Sequence, residues 1–288
     1  MHADIENDAA SLTLGVNRRV SAFIGGLVSP GPRSLAPGPP VRYALTMPPS
    51  PPALSLVIPV RNERDNVRPL LAEVRAALES VAWEAVFVDD SDDGTGDVVE
   101  AEAACDPRVQ LVRRTVNAGG LAGAVMAGFG RAHGRYVCVL DGDLQHPPAR
   151  IPAMLAKAEA SAADVVIASR YIRGGSMGGL DGPTRLVYAR GLRALAKVAF
   201  PRRLRGVSDP LGGFFLVRGE LVCGVTLRPR GYKILLEILV RCRPRTVREV
   251  PYRFQPRRHG ETKADLRQGI EFLRHLWTLR VWPGPRSH

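Results

Sequence analysis

Between residues 54 and 170 short apolar runs of strand length alternate with stretches of helical spacing, and this alternation constrains the fold more than any other feature of the chain. The runs are Leu54–Val60, Ala85–Asp90, Val109–Val112, Tyr136–Leu140 and Asp164–Arg170. Most are near-continuously apolar, as strands covered on both faces are. Strands alternating with helices imply an α/β fold, a mostly parallel sheet flanked by helices. The intervening helices are expected at Val67–Leu78, behind a cap at Asn66, and at Gly96–Ala104, capped by the turn Ser91-Asp92-Asp93-Gly94-Thr95. A glycine-rich start, Asn117–Val125, opens the next helix and lets its backbone approach a phosphate or pack closely on the sheet.

The carboxyl ends of parallel strands share one rim, where open α/β sheets bind ligands. Three polar groups fall there: Pro59-Val60-Arg61-Asn62-Glu63, Asp89-Asp90 and Asp141-Gly142-Asp143. In a chain that stays extended past Leu140, alternate side chains share a face. Asp141, Asp143 and Gln145 then converge, and Gly142 leaves room for a ligand against the backbone. Two carboxylates and an amide oxygen suit a hard divalent cation, Mg²⁺ or Mn²⁺, that also bridges to substrate phosphates. An Asp-x-Asp by itself is more often a strand-end turn with solvated acids. The coincidence of three strand-end groups gives this one its weight. No Gly-x-Gly-x-x-Gly follows the first run and no Gly-Lys-Ser/Thr loop occurs, which argues against a dinucleotide-binding reductase and a P-loop NTPase.

A strand followed by Pro59-x-x-Asn62-Glu63, then Val88-Asp89-Asp90, then Asp141-Gly142-Asp143-Leu144-Gln145-His146-Pro147-Pro148 resembles the family 2 glycosyltransferases, which have the GT-A fold. Four later groups narrow the resemblance to the dolichol-phosphate (polyprenol-phosphate) mannosyltransferases, over roughly Leu54 to Leu279. They are Ser169-Arg170-Tyr171, Asp209 with Gly213-Phe214-Phe215, Gly231-Tyr232-Lys233 with Glu237, and Arg257-x-x-Gly260-Glu261-Thr262-Lys263. The resemblance implies an inverting, metal-dependent transfer of a hexose, mannose from GDP-mannose, to polyprenyl or dolichyl phosphate. It implies that Pro59, Arg61, Glu63, Asp90, Asp141 and Lys233 bind the nucleotide sugar, and that Asp141, Asp143 and Gln145 hold Mg²⁺ or Mn²⁺. Arg170, Arg190, Arg257 and Lys263 would hold the acceptor phosphate, with Asp143, Arg170 and Arg190 at the chemistry itself. The chain departs from the family pattern in three places: Val88–Thr95 is one residue shorter than the usual motif, Gly142 replaces a common alanine, and Ala189 stands where a serine often precedes the second arginine. The first departure leaves a UDP-sugar open as donor. The reading from another class is a non-catalytic nucleotide-sugar or nucleic-acid binding protein, which intact Asp141, Asp143 and Gln145 disfavour.

In the second half, Arg185–Phe200 has helical spacing, with Arg190, Arg193 and Lys197 on one face opposite Leu192, Leu195 and Ala199. Lys233 and Glu237 stand at i, i+4 spacing in the next helix, where an ion pair is the plain reading. Thr246–Gln255 alternates as an edge strand does, and leads into a basic loop, Pro256–Lys263. His146 and His259 are lone loop histidines, read as structural. The net charge of +12 is concentrated in residues 241–288, which hold twelve Lys/Arg against four Asp/Glu. An anionic partner follows from this. Nucleic acid is disfavoured, because the segment lacks interleaved aromatics and any helix-turn-helix or RNA motif. From Asp265 the apolar stripe Leu266, Ile270, Leu273 and Trp277, with Lys263, Arg267 and Arg274 on another face, suits a peripheral helix on a membrane surface or one docked on the core. No run reaches the ~18 apolar residues of a membrane span. The four cysteines are widely spaced and read as reduced, hence a cytoplasmic location at the membrane face. The expected organisation is a disordered Pro-rich extension over 1–52, in which Met47 is a possible true start, a transferase domain over 53–264, and a basic amphipathic helix and tail over 265–288.

Overall fold

The computed structural model describes residues 51–178, 183–222, 225, 227, 233–256 and 266–281, with side chains in two of its helices described only from 186 and from 269. The expected extension up to residue 50 lies outside the described residues. So do Arg257, His259 and Lys263 in the basic loop.

Among the described residues seven strands form one sheet: β1 (Leu54–Val60), β2 (Trp83–Asp89), β3 (Val109–Arg113), β4 (Tyr136–Val139), β5 (Val165–Ser169), β6 (Phe215–Arg218) and β7 (Val247–Pro251). Their order is β3-β2-β1-β4-β6-β5-β7. Every described pairing is parallel except those of β6, which runs antiparallel to both β4 and β5. The carboxyl ends of β1, β2, β4 and β5 therefore share one rim, as the sequence pattern implies.

The helices are α1 (Val67–Ala77), α2 (Thr95–Cys105), α3 (Gly120–Phe129), α4 (Ile151–Ala160), α5 (Pro183–Ala199), the single turn α6 (Gly219–Val222), α7 (Ile234–Arg241) and α8 (Leu266–Val281). Alternate strand residues feed two cores. Leu54, Leu56 and Ile58 meet α1 and α4 on one face, while Val57, Val137 and Val139 meet α3, α7 and α8 on the other. Burial of the β1 residues on both faces explains why the strand sequence reads as a continuous apolar run.

Three local expectations are corrected. Asn66 makes no side-chain cap; it is buried, and its Nδ2 donates to Glu63 Oε2 at 2.5 Å, which fixes the loop after β1. The acidic turn does not cap α2 through a side chain, because Gly94 holds the cap position in the left-handed region (φ 86) while Asp93 Oδ1 accepts from Thr95 N–H and hydroxyl. Leu195 does not share the burial of Leu192 and Ala199 on α5; it is 38% exposed.

Helix α8 docks on the core along one row and leaves another exposed. Phe272, Leu276 and Leu279 enter the second core. Of the stripe read from the sequence, Ile270 (52%), Leu273 (53%) and Trp277 (69%) point the other way and are exposed, as is Val281 (59%). No described helix is long and apolar enough to cross a membrane.

Candidate active site

The loops after β1 and β2 are laced together before any ligand is considered. Asn62, in the left-handed region at φ 61, donates its N–H to Ser91 Oγ (2.9 Å) and accepts from Asp92 N–H (3.2 Å). Glu63 N–H donates to Thr95 Oγ1 at 3.0 Å. Asp90 is gripped by Arg114 through both carboxylate oxygens, each at 2.7 Å. Arg114 also donates to Asn117 Oδ1 and to the carbonyls of Ala118 and Gly120, so one guanidinium ties the second strand end to the start of α3.

A cleft of about 350 Å³ opens on this rim. Pro59, Arg61, Glu63, Asp90, Asp141 and Asp143 line it. Gly120 and Leu121 close one side with the amino end of α3, whose partial positive charge favours an anion there. Five of the six residues expected to bind a nucleotide sugar thus border one cavity. Lys233 does not line it.

The turn after β4 differs from the sequence expectation. The chain does not stay extended: residues 142–143 turn, and Leu144 sits in the left-handed region at φ 63. The face-sharing of Asp141, Asp143 and Gln145 is therefore not a consequence of strand alternation. Asp143 is 4% exposed and its Oδ1 accepts Gln145 N–H at 3.1 Å. Gln145 Nε2 donates to Gln255 O at 3.0 Å, and Gln255 N–H returns a bond to Gln145 O at 3.1 Å. A Cβ at Gly142 would lie 2.6 Å from Val60 Cγ1, so the turn packs closely on β1. Gly142 packs the turn on β1 and also lines the cleft with Asp141 and Asp143.

His146 is 2% exposed, accepts Asp141 N–H through Nδ1 at 3.0 Å, and stacks on Phe214 at 5.2 Å between centroids. Tyr252 and Phe254 complete an aromatic box around it. The contact with Asp141 N–H makes the ring an anchor for the turn. Gly213 passes close by, where a Cβ would lie 3.2 Å from Asp141 Oδ2.

The loop of Gly213 is held by two cations from the expected set. Arg170 gives Nε and Nη2 to the two oxygens of buried Asp209 (2.8 and 2.9 Å). Burial alone would lower the pKa of this guanidinium, but the Asp209 bonds outweigh it and hold it fully charged. Two of its nitrogens are thus engaged by Asp209. Lys233 Nζ donates to Leu211 O at 3.0 Å, while Glu237 pairs with Arg241 (2.7 Å), which corrects the expected Lys233–Glu237 pair. Burial, reinforced by Arg170 and opposed by Asp209 and Asp141, pushes the Lys233 pKa down to about 8.

Sequence reasoning missed Glu249. This β7 carboxylate accepts from Ser208 N–H, Ser208 hydroxyl and Asp209 N–H, all at 3.1 Å or less, and so orients the Asp209 corner. An acid in an apolar edge strand was its only signal. Arg193 was read as one of a charged stripe; its Nε donates to Ser208 O at 2.6 Å and its guanidinium lies 4.2 Å over the Tyr171 ring. Arg190, one turn earlier on α5, is exposed, and its field reaches Tyr171.

The donor set for a cation is two carboxylates on a cleft wall with an amide beside them, all oxygen. Among the described residues no three acidic, histidine or cysteine side chains converge on a metal position. Asp141 and Asp143 on the cleft wall are oxygen donors of the kind that Mg²⁺ or Mn²⁺ take one or two of, with substrate phosphate and water completing the shell.

The Dolichol-phosphate mannosyltransferase of Pyrococcus furiosus is 38% identical over 80% of this chain, which spans only 64% of that protein's length. The Undecaprenyl-phosphate mannosyltransferase of Micrococcus luteus is 33% identical over 72% of this chain and 85% of its own. Glucosyl-3-phosphoglycerate synthase of Mycobacterium tuberculosis, solved with Mn²⁺, UDP-glucose and phosphoglyceric acid, shares the GT-A fold at a TM-score of 0.59 and 17% identity, over 82% of this chain and 81% of that one. Residues 55–222 match the Glycosyl transferase family 2 model, and with these relatives the chain belongs to that family.

Proposed function

We propose that the protein transfers a mannosyl group from GDP-mannose to a polyprenyl phosphate, giving a β-linked polyprenyl phosphate sugar and GDP. The observation that carries this reading is Asp141 and Asp143 bordering one cleft with Arg61, Glu63 and Asp90, in a chain whose relatives use dolichyl and undecaprenyl phosphate. In the reaction an acceptor phosphate oxygen attacks the anomeric carbon, and the bond to the diphosphate breaks with its electrons going to the leaving group. Displacement from the opposite face inverts an α-linked donor. Glu63, Asp90 and Arg61 would position the nucleoside, and the amino end of α3 would favour its diphosphate. Asp141 and Asp143 would hold Mg²⁺ or Mn²⁺ at the diphosphate, with Gln145 offering its amide oxygen because its nitrogen is engaged by Gln255. The bound cation would neutralise charge developing on the leaving diphosphate. Arg190 would meet the acceptor phosphate, with Arg257 and Lys263 in the basic loop. The exposed stripe of α8 supports a peripheral position on a membrane surface, where a polyprenyl chain resides.

The test is incubation with radiolabelled GDP-mannose or UDP-glucose, a divalent cation and undecaprenyl or dolichyl phosphate. Labelled lipid from GDP-mannose is expected. Labelled lipid from UDP-glucose alone would replace the donor, and no lipid product from either would overturn the reading.

A further inference from the structure

A second cleft, of about 520 Å³, lies between the carboxyl ends of α5, α7 and α8 and shares no lining residue with the Asp141 cleft. Phe200, Val240 and Leu279 give it an apolar floor. Four arginines stand around it: Arg202 and Arg203 just past α5, Arg243 just past α7, and Arg280 in α8. No acidic residue lines the cleft, and among the described residues none of the four guanidiniums pairs with a carboxylate. Elsewhere arginines such as Arg75, Arg108, Arg114 and Arg170 do so.

Arginines near helix carboxyl ends are expected to offset the helix dipoles, so the magnitudes matter. Three helix ends contribute about −0.5 charge each. Four guanidiniums exceed that and leave about +2.5.

Arg243 adds a second observation. It follows the C-cap Cys242 in the left-handed region (φ 52), the position that helices most often give to glycine. A side chain there is kept against a backbone cost. The third observation is the surroundings. Val198, which lines the cleft, is 77% exposed, and Arg280 stands on the helix whose outward stripe is Leu273, Trp277 and Val281. The basic cleft is therefore carried by the same helices that present apolar side chains to water.

We propose that this cleft binds the phosphate headgroup of an anionic membrane lipid, at a site separate from the one that would take the acceptor. The proposal rests on the peripheral-membrane part of the reading above, not on the transfer reaction. Guanidinium forks take phosphate oxygens two at a time. A choline headgroup would bring a cation among four others, so the cleft favours a phosphatidylglycerol-type lipid over phosphatidylcholine.

Co-sedimentation with phosphatidylcholine vesicles, with and without phosphatidylglycerol, tests this on the full chain. Arg243→Gly should keep or raise the melting temperature, since it relieves the left-handed strain. It should weaken partition onto phosphatidylglycerol vesicles by about fivefold, the ~1 kcal/mol of one near-surface arginine. Arg202→Gln with Arg203→Gln should weaken it further. A control losing two exposed arginines outside the cleft, Arg131→Gln with Arg150→Gln, should bind as the parent does. Equal loss in this control would show diffuse charge and overturn the cleft. Parent protein that binds both vesicle types equally would overturn it too while leaving the membrane reading intact, and parent protein that binds neither would overturn both. Release by inorganic phosphate at matched ionic strength would mean that a free anion is the ligand, which also overturns the lipid assignment.

Discussion

Asp143 is nearly buried, and its carboxylate is oriented by the Gln145 N–H, so replacing it removes a charge without opening a large cavity. If it holds the cation that stabilises the leaving diphosphate, Asp143→Ala lowers turnover at least ~10²-fold, as loss of a main electrostatic stabiliser does. EDTA should produce the same loss, reversed by Mn²⁺; full activity of either preparation would remove the cation from the mechanism. Lys233 gives a pH test. Its folded pKa, about 8, lies below its unfolded value, so its charged form is penalised in the fold below pH 8 and that penalty disappears as pH rises towards 10.5. If its ammonium assists the diphosphate, the apparent KM for the sugar nucleotide climbs above pH 8. Lys233→Arg, which stays charged, should flatten that climb, and superimposable profiles would rule the assistance out. Neither the Asp143 geometry nor the Lys233 bond to Leu211 was visible in residue spacing. Spacing assumed an extended chain, whereas Leu144 turns it through a left-handed conformation that depends on tertiary contacts. The close contact beside Gly142 was hidden for the same reason: its neighbour across the turn, Val60 Cγ1, comes from another strand.

At the scale of elements the strands were legible, because burial on both faces writes itself into an apolar run whichever neighbours the strand has. A short strand entered from the Asp209–Phe215 loop could be read as well, as β6, but not its antiparallel direction, since four residues between β4 and β5 carry no sign of it. Helix α8 shows the limit of periodicity most clearly. The stripe Ile270, Leu273 and Trp277 is real, but a second apolar row, Phe272, Leu276 and Leu279, takes the core, and hydrophobic spacing cannot rank two rows on one helix. The two rows predict opposite mutant behaviour. Phe272→Ala should cost about 3–5 kcal/mol of stability, as large-to-small changes at buried aromatic sites do. Leu273→Ser with Trp277→Ser should leave the unfolding midpoint almost unchanged, within the ~0.5 kcal/mol usual for surface changes, while reducing sedimentation with lipid vesicles. Unfolding midpoints and vesicle binding of both proteins check this, and unaltered binding of the Leu273/Trp277 protein would detach α8 from the membrane.

At the scale of the whole molecule the proposed acceptor is tested by where the cations stand. A hydroxyl acceptor needs a positioned base, whereas a phosphate monoester arrives with about −1.5 to −2 charge and needs orientation and partial neutralisation instead. His146 is locked as an acceptor for Asp141 N–H within its aromatic box, a poor position for shuttling a proton. The arginines divide between two tasks. Arg170 supports the fold of the site: it closes the bidentate pair with Asp209, on a corner that Glu249 holds from β7. Arg190 is exposed on α5, and under the proposed reaction it would meet the incoming phosphate. The same conservative change should therefore act differently at the two positions. Arg170→Lys keeps the charge but loses the fork, leaving buried Asp209 under-satisfied, and should lower stability by about 1–3 kcal/mol. Arg190→Lys should leave the melting temperature alone and raise the apparent KM for lipid phosphate several-fold more than that for the sugar nucleotide, because lysine cannot hold two phosphate oxygens in one plane. Initial rates with each substrate varied in turn, beside thermal unfolding of both variants, separate the two roles. An Arg190→Lys protein with unchanged KM for both substrates would move acceptor recognition away from α5, and efficient transfer to a polyprenol lacking its phosphate would show that charge on the acceptor is not what the site reads.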